Sequence, residues 1–267
     1  MPTQKIDNVS LYYELQGSGT PLVLLHGLQG DSSNFADLVP ALARQHQVLV
    51  FDQRGSGWSD KPEQPYSMAL YADDTARLMD ALGIERAHVL GMSMGGMIAQ
   101  EFALRHPNRL NGLVLGCTSP GGPNAAKLES AARERTYETA ELSAEERAYR
   151  LAEAGLSQGF LRRNRQVLKQ LTEARRQRPL DVNALQRRMA AIDAHDTFDR
   201  LGDIQAPTLV ITGRPDSIVS ADNSTILAER IPNARLEVLE PAGHLFWLEK
   251  PRETLDLVLA FLGERRP

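Results

Sequence analysis

The chain has 267 residues, 42% of them hydrophobic, with a net charge of −4 and a pI near 5.9. That size and composition support a sizeable core in one large α/β domain or one domain with an insertion, and exclude a disordered chain. The acidic balance argues against a general nucleic-acid or anionic-membrane binder, and the single cysteine, Cys117, excludes an internal disulfide and a cysteine-based metal cluster.

The opening residues contain no apolar signal region, and no run approaches the roughly 18 apolar residues of a membrane span. The expectation is a soluble, cytoplasmic protein. Two β-prone pieces around Asp7-Asn8 predict an N-terminal hairpin at an antiparallel edge. Residues 21–25 are continuously apolar, as in a strand buried on both faces of a parallel sheet, and end at His26-Gly27-Leu28. A helix is expected over residues 33–43, then a strand over 47–51. The polar, glycine-rich loop that follows contains Asp52 and Arg54, which could pair; it lacks the lysine and spacing of a P-loop. Ser67 is placed to cap a helix reaching Leu82, with Gly83 as its stop.

Residues 86–98 organise the rest. A short apolar strand runs into Gly91-x-Ser93-x-Gly95-Gly96 and passes directly into an apolar helix. A strand that reverses into a helix within a turn crowds its own backbone, so Gly91, Gly95 and Gly96 serve geometry while Ser93 stands on the elbow. The helix N-terminus would then face whatever oxygen gathers charge beside Ser93.

A strand at 110–115 ends near Cys117, which is expected to pack in the core. From about residue 120 to 200 the apolar runs disappear, and half of the chain's lysines and arginines gather among Ala, Glu, Leu and Gln. This composition suits amphipathic helices, whose arginines most simply form a solvated face. Strands return at 207–212 and 236–239, separated by a helix over 221–230 and followed by a last helix from Pro251. The pattern gives eight strands in an open, mostly parallel sheet with helices on both faces. The core is assigned to residues 1–119 and 201–267, and a helical insertion to 120–200.

Ligands of such sheets bind beyond the carboxyl ends of the strands. The elbow strand carries Ser93, the strand ending at Thr212 leads to Asp216, and the last strand leads to His244. A serine hydroxyl needs a base that takes its proton and later returns it, which His244 supplies, and the imidazole needs a carboxylate, here Asp216, to orient it. Asp222 and Glu240 are the competing acids. His46, His88, His106 and His195 show no metal-ligand spacing. Phe35, Trp58, Phe246 and Trp247 lie near loops that could line a pocket, with Phe35, Trp58 and Phe246 as candidate substrate contacts.

The order Ser93, Asp216, His244 is that of the α/β-hydrolase fold, and the chain resembles that superfamily over nearly its whole length. The resemblance is carried by His26-Gly27, the loop from Asp52 to Ser59, the elbow from Gly91 to Gly96, Gly213 to Asp216, and Gly243-His244. It implies an oxyanion hole from the backbone N–H groups of Leu28 and Met94. It makes His26 a loop-shaping residue and the insertion a cap that sets specificity. It also implies no cofactor and no metal.

The elbow and layout resemble the branch of 3-oxoadipate enol-lactonases, small carboxylesterases and cofactor-free haloperoxidases. The expected reaction is hydrolysis of a small-molecule carboxylic ester or lactone. A carbon–carbon hydrolase of ring-cleavage products and a ligand receptor on a hydrolase scaffold are the alternatives. The expected partner is a small molecule, with no nucleic acid and no membrane, and a homo-oligomer is left open.

Overall fold

The computed structural model describes residues 2–127 and 142–263. The opening segment forms the expected hairpin: β1 (Thr3–Ile6) and β2 (Val9–Gln16) pair antiparallel, and Asp7 takes the tight turn at φ 46°. β2 also pairs antiparallel with β4 (His46–Phe51). β3 (Thr20–Leu25), β5 (Ala87–Met92), β6 (Leu110–Gly116), β7 (Thr208–Gly213) and β8 (Ala234–Leu239) join β4 in parallel. The result is an open eight-stranded sheet in the order β1-β2-β4-β3-β5-β6-β7-β8.

Alternation along the strands feeds two cores. Val23 and Leu25 of β3 pack on the face covered by α2 (Met68–Ala81) and α3 (Met94–Arg105). Leu22 and Leu24 pack on the other face, beneath Phe35, Leu42 and the C-terminal helix. Fully burying one such leucine is worth about 1.5–3 kcal/mol, so the central strands dominate stability. The Ser67 hydroxyl caps α2 by accepting from the Leu70 N–H at 3.1 Å, and Gly83 follows its end at φ 69°.

The helix expected over 33–43 is divided. Asp31 and Asn34 form a capping box on a 3-10 turn, Ser32–Phe35, and a separate helical turn, α1 (Val39–Leu42), follows. Pro40 has no N–H to bond back to the preceding turn, so one continuous helix cannot form across it.

Between β6 and β7 the described residues form α4 (Ala144–Gly155), α5 (Gln158–Arg163), α6 (Gln166–Gln177) and α7 (Val182–Asp193), then a 3-10 helix at Phe198–Asp203. Residues 128–141 of the expected insertion lie outside the described residues. Ser143, Ser157 and Asp181 cap α4, α5 and α7 through side-chain oxygens, each worth about 1 kcal/mol. α8 (Asp222–Arg230), a short turn α9 (Phe246–Glu249) and α10 (Pro251–Gly263) complete the chain. Among the described residues no helix is long and apolar enough to cross a membrane.

Strand order reverses between β3 and β5: the chain leaves β3 for β4 on one side and then continues with β5 on the other. A crevice forms beyond the strand ends at that point. The inserted helices seat over it. Arg178, just past α6, donates to Asp31 at 3.1 Å and to the Ser32 hydroxyl at 2.9 Å, and the Leu245 N–H donates to the Gly155 carbonyl at 2.7 Å.

Candidate active site

Ser93 joins β5 to α3 with φ 56° and ψ −120°, a conformation that L-residues rarely hold and that costs on the order of 1–3 kcal/mol. The surroundings enforce it. A Cβ on Gly91 would lie 2.1 Å from the Gly95 carbonyl oxygen, and one on Gly95 would lie 2.0 Å from that of Leu25, so only glycine lets the elbow close on β3. The Ser93 N–H donates to Gly116 of β6 at 2.8 Å. Met94 is the first residue of α3 and is fully buried, and as a first-turn residue its N–H has no acceptor within the helix.

Across the crevice, Nδ1 of His244 lies 2.7 Å from Oδ2 of Asp216. The other carboxylate oxygen accepts from the N–H groups of Ile218 and Val219, at 2.8 and 2.9 Å. Both oxygens are therefore committed, and the carboxylate is fixed in the orientation that meets the imidazole. Burial by itself pushes the imidazole pKa down; the Asp216 charge and hydrogen bond override it and hold His244 well above its ordinary value of 6.5.

Ser93, His244, Gly27 and Leu28 line one cavity, with Leu151, Ile218, Leu245 and Trp247 as its apolar wall. A second cavity shares Asn34, Leu151, Leu245 and Trp247 with the first and runs between α4, α6 and the 3-10 turn. Asp31 and Asp37 stand in its lining, and no lysine or arginine lines either cavity among the described residues.

His26 takes other hydrogen-bond partners than the imidazole–carboxylate pair. Its Nε2 accepts from the Gln53 N–H at 3.3 Å, which leaves Nδ1–H to donate to the Gly27 carbonyl at 2.9 Å. Burial, reinforced by the charge of Arg188, lowers its pKa to about 4.

Several sequence expectations need correction. Arg54 does not pair with Asp52; it forms a buried ion pair with Asp74 of α2, with Nη2 to Oδ1 at 2.7 Å. Asp52 instead accepts from the N–H groups of Ser32 and Trp58, both at 2.7 Å, and so shapes its own loop. Phe35, Trp58 and Phe246 do not line the cavities. Phe35 is 1% exposed in the core, Phe246 is fully buried against β6, and Trp58 is 46% exposed beside the Arg178 guanidinium. Trp247 lines both cavities because the short turn α9 points consecutive side chains apart.

Asp222 and Glu240 are exposed, and Glu240 pairs with Arg214 at 3.4 Å. Among the described residues no cluster of His, Cys, Asp or Glu could hold a metal. Cys117 is buried as expected and directly follows β6 at φ 41°. Glu249 also escaped the sequence: it accepts from the Gly243 N–H at 2.6 Å and the Ser157 N–H at 2.8 Å, tying the His244 loop to the inserted helices.

A strained serine elbow facing a histidine–carboxylate pair at the ends of a parallel sheet defines a class of hydrolytic enzymes. The chain belongs to the alpha/beta hydrolase fold family, whose model matches residues 20–251. It is 31% identical over 270 residues to a protein of Azorhizobium caulinodans provisionally named carbamate hydrolase RutD, covering 99% of each chain. It is 32% identical over 276 residues to the 2-hydroxy-6-oxo-6-phenylhexa-2,4-dienoate hydrolase of Comamonas testosteroni, covering 96% of this chain and 92% of that protein. The enol-lactonase of Burkholderia xenovorans LB400 superposes with a TM-score of 0.87 at 27% identity, covering 98% of this chain and all of that one. The protein is a hydrolase of the α/β fold.

Proposed function

We propose that the protein hydrolyses a small-molecule carboxylic ester or lactone through Ser93, His244 and Asp216. The observation that carries this is the 2.7 Å contact between His244 and a doubly anchored Asp216, at the cavity that also holds Ser93. Ser93 Oγ attacks the substrate carbonyl carbon while its proton passes to Nε2 of His244. The oxygen, now negative, is held by the N–H groups of Leu28 and Met94. The imidazolium returns the proton to the leaving oxygen as the C–O bond breaks, leaving Ser93 acylated. His244 then takes a proton from water, whose oxygen attacks the acyl carbon, and Ser93 leaves with that proton to release the acid.

The insertion, residues 120–200, acts as a cap that excludes water and sets specificity. Leu151, Trp247 and Leu245 favour an apolar substituent. Carbon–carbon hydrolysis is the second reading, favoured by the identity to the Comamonas enzyme. The test is turnover of short and medium p-nitrophenyl esters by wild type and Ser93→Ala, with mass spectrometry after a fluorophosphonate probe. Turnover lost in the variant, with one adduct on Ser93, is the expected result. No turnover and no adduct would favour a ligand receptor on this scaffold.

A further inference from the structure

Arg188 lies on α7 and is 1% exposed. Its Nη1 donates to the Gly55 carbonyl at 3.3 Å and its Nη2 to the Gly27 carbonyl at 3.4 Å, while its Nε has no hydrogen-bond partner. Among the described residues no carboxylate forms an ion pair with it. Arginine keeps its charge in proteins, and the Asp31 and Asp52 charges favour it only from a distance, so a buried guanidinium whose direct partners are two backbone carbonyls needs a reason.

The Gly27 carbonyl supplies one. It accepts not only from Arg188 but from His26 Nδ1–H at 2.9 Å and the Gly30 N–H at 3.0 Å. The Gly27 C=O and the Leu28 N–H belong to one planar trans peptide and point in opposite directions. Donors that converge on the oxygen therefore aim the N–H away from them. On the near side, Gly27 approaches the nucleophile so closely that a Cβ there would stand 3.2 Å from Ser93 Cβ and 3.7 Å from Oγ.

We propose that Arg188 is a positioning residue for the oxyanion hole: reaching down from α7, it clamps the Gly27–Leu28 peptide and directs the Leu28 N–H at the oxygen that turns negative during attack by Ser93. A cation at the carbonyl end also polarises the peptide and strengthens its N–H as a donor. Seating of α7 and completion of the oxyanion hole then become one event. The inference rests on acyl transfer at Ser93 as proposed above. Arg188 lines neither cavity, so this role differs from binding a substrate carboxylate.

The test compares wild type, Arg188→Met and Arg188→Lys, each shown to be folded by circular dichroism and thermal melting. Readouts are kcat and KM for a neutral p-nitrophenyl ester and inhibition by a trifluoromethyl ketone, which adds Ser93 to form a stable tetrahedral oxyanion. Losing a whole oxyanion donor costs about 10²–10³ in rate. Misaiming one should lower kcat about 10- to 100-fold in Arg188→Met with KM within about 3-fold, and weaken the ketone by the same factor as kcat. Arg188→Lys, which can reach only one of the two carbonyls, should recover part of both.

Folded Arg188→Met with wild-type kcat and ketone affinity overturns the proposal, as does a loss confined to KM. Should Arg188→Met fail to fold, Arg188→Lys decides: a parallel loss of kcat and ketone affinity supports the role, and unchanged values overturn it. Failure of the acyl-transfer reading shows separately, as wild type without turnover or a Ser93 adduct, and overturns both.

Discussion

Two buried histidines stand at strand ends in this molecule, and their surroundings push their pKa values in opposite directions. His26, after β3, is fully buried, and His244, after β8, is 4% exposed. Burial disfavours the imidazolium in both. His26 meets backbone groups and the Arg188 cation, and its pKa falls to about 4. His244 meets the Asp216 carboxylate, and its pKa rises well above 6.5. The charge beside each ring, and not its depth, decides which one holds a loop and which one can accept a proton and stabilise the resulting cation.

Removing the charge beside His244 is the strongest way to break that contrast. Asp216→Asn should keep the fold and lower kcat by about 10⁴, measured on any ester the wild type turns over. Near-normal turnover would move the supporting acid elsewhere.

A smaller effect is expected at His26, read as stability against pH. Its folded pKa of about 4 lies below the unfolded value near 6.5, so its contribution is complete above pH 6.5 and is lost as the pH falls towards 4. The loss amounts to about 3 kcal/mol, with His195, also near 4, contributing in the same window. Denaturant melts of His26→Gln should show a shallower decline between pH 6.5 and 4 than wild type; an equal decline would place the titration elsewhere. The smallest effects belong to the exposed acids: Asp222→Asn and Glu240→Gln should leave kcat/KM within about 2-fold.

The parts legible in sequence were those that backbone geometry forces on composition. The hairpin at Asp7, the apolar strands of a sheet buried on both faces and the glycines of the elbow each had one physical explanation, and the structure contains all three. What escaped was side-chain partnership across the fold. Arg54 finds Asp74, twenty residues away on α2, where the sequence suggested its neighbour Asp52. Phe35 and Phe246 sank into the core because a turn's rotation, which composition does not encode, decided their direction.

Arg188 was lost among the arginines of the insertion, although it shares helical spacing with Ala184, Leu185 and Ala191, the buried stripe of α7. A charged residue on that stripe was the available signal. Sequence order paired His244 with Asp216 but did not show how far the carboxylate, standing against the ring, raises the imidazole above its ordinary 6.5.

The most direct measurement is the pH dependence of Ser93 phosphonylation by a fluorophosphonate, in wild type and in Asp216→Asn. Raised by Asp216, His244 in the wild type should lose its proton only well above pH 6.5, so the rate should climb through neutral into alkaline pH. Without that charge the midpoint should fall below the wild-type value while the overall rate drops. A wild-type midpoint at or below 6.5, or one that Asp216→Asn leaves in place, would contradict the account that Asp216 tunes His244 as the base for Ser93.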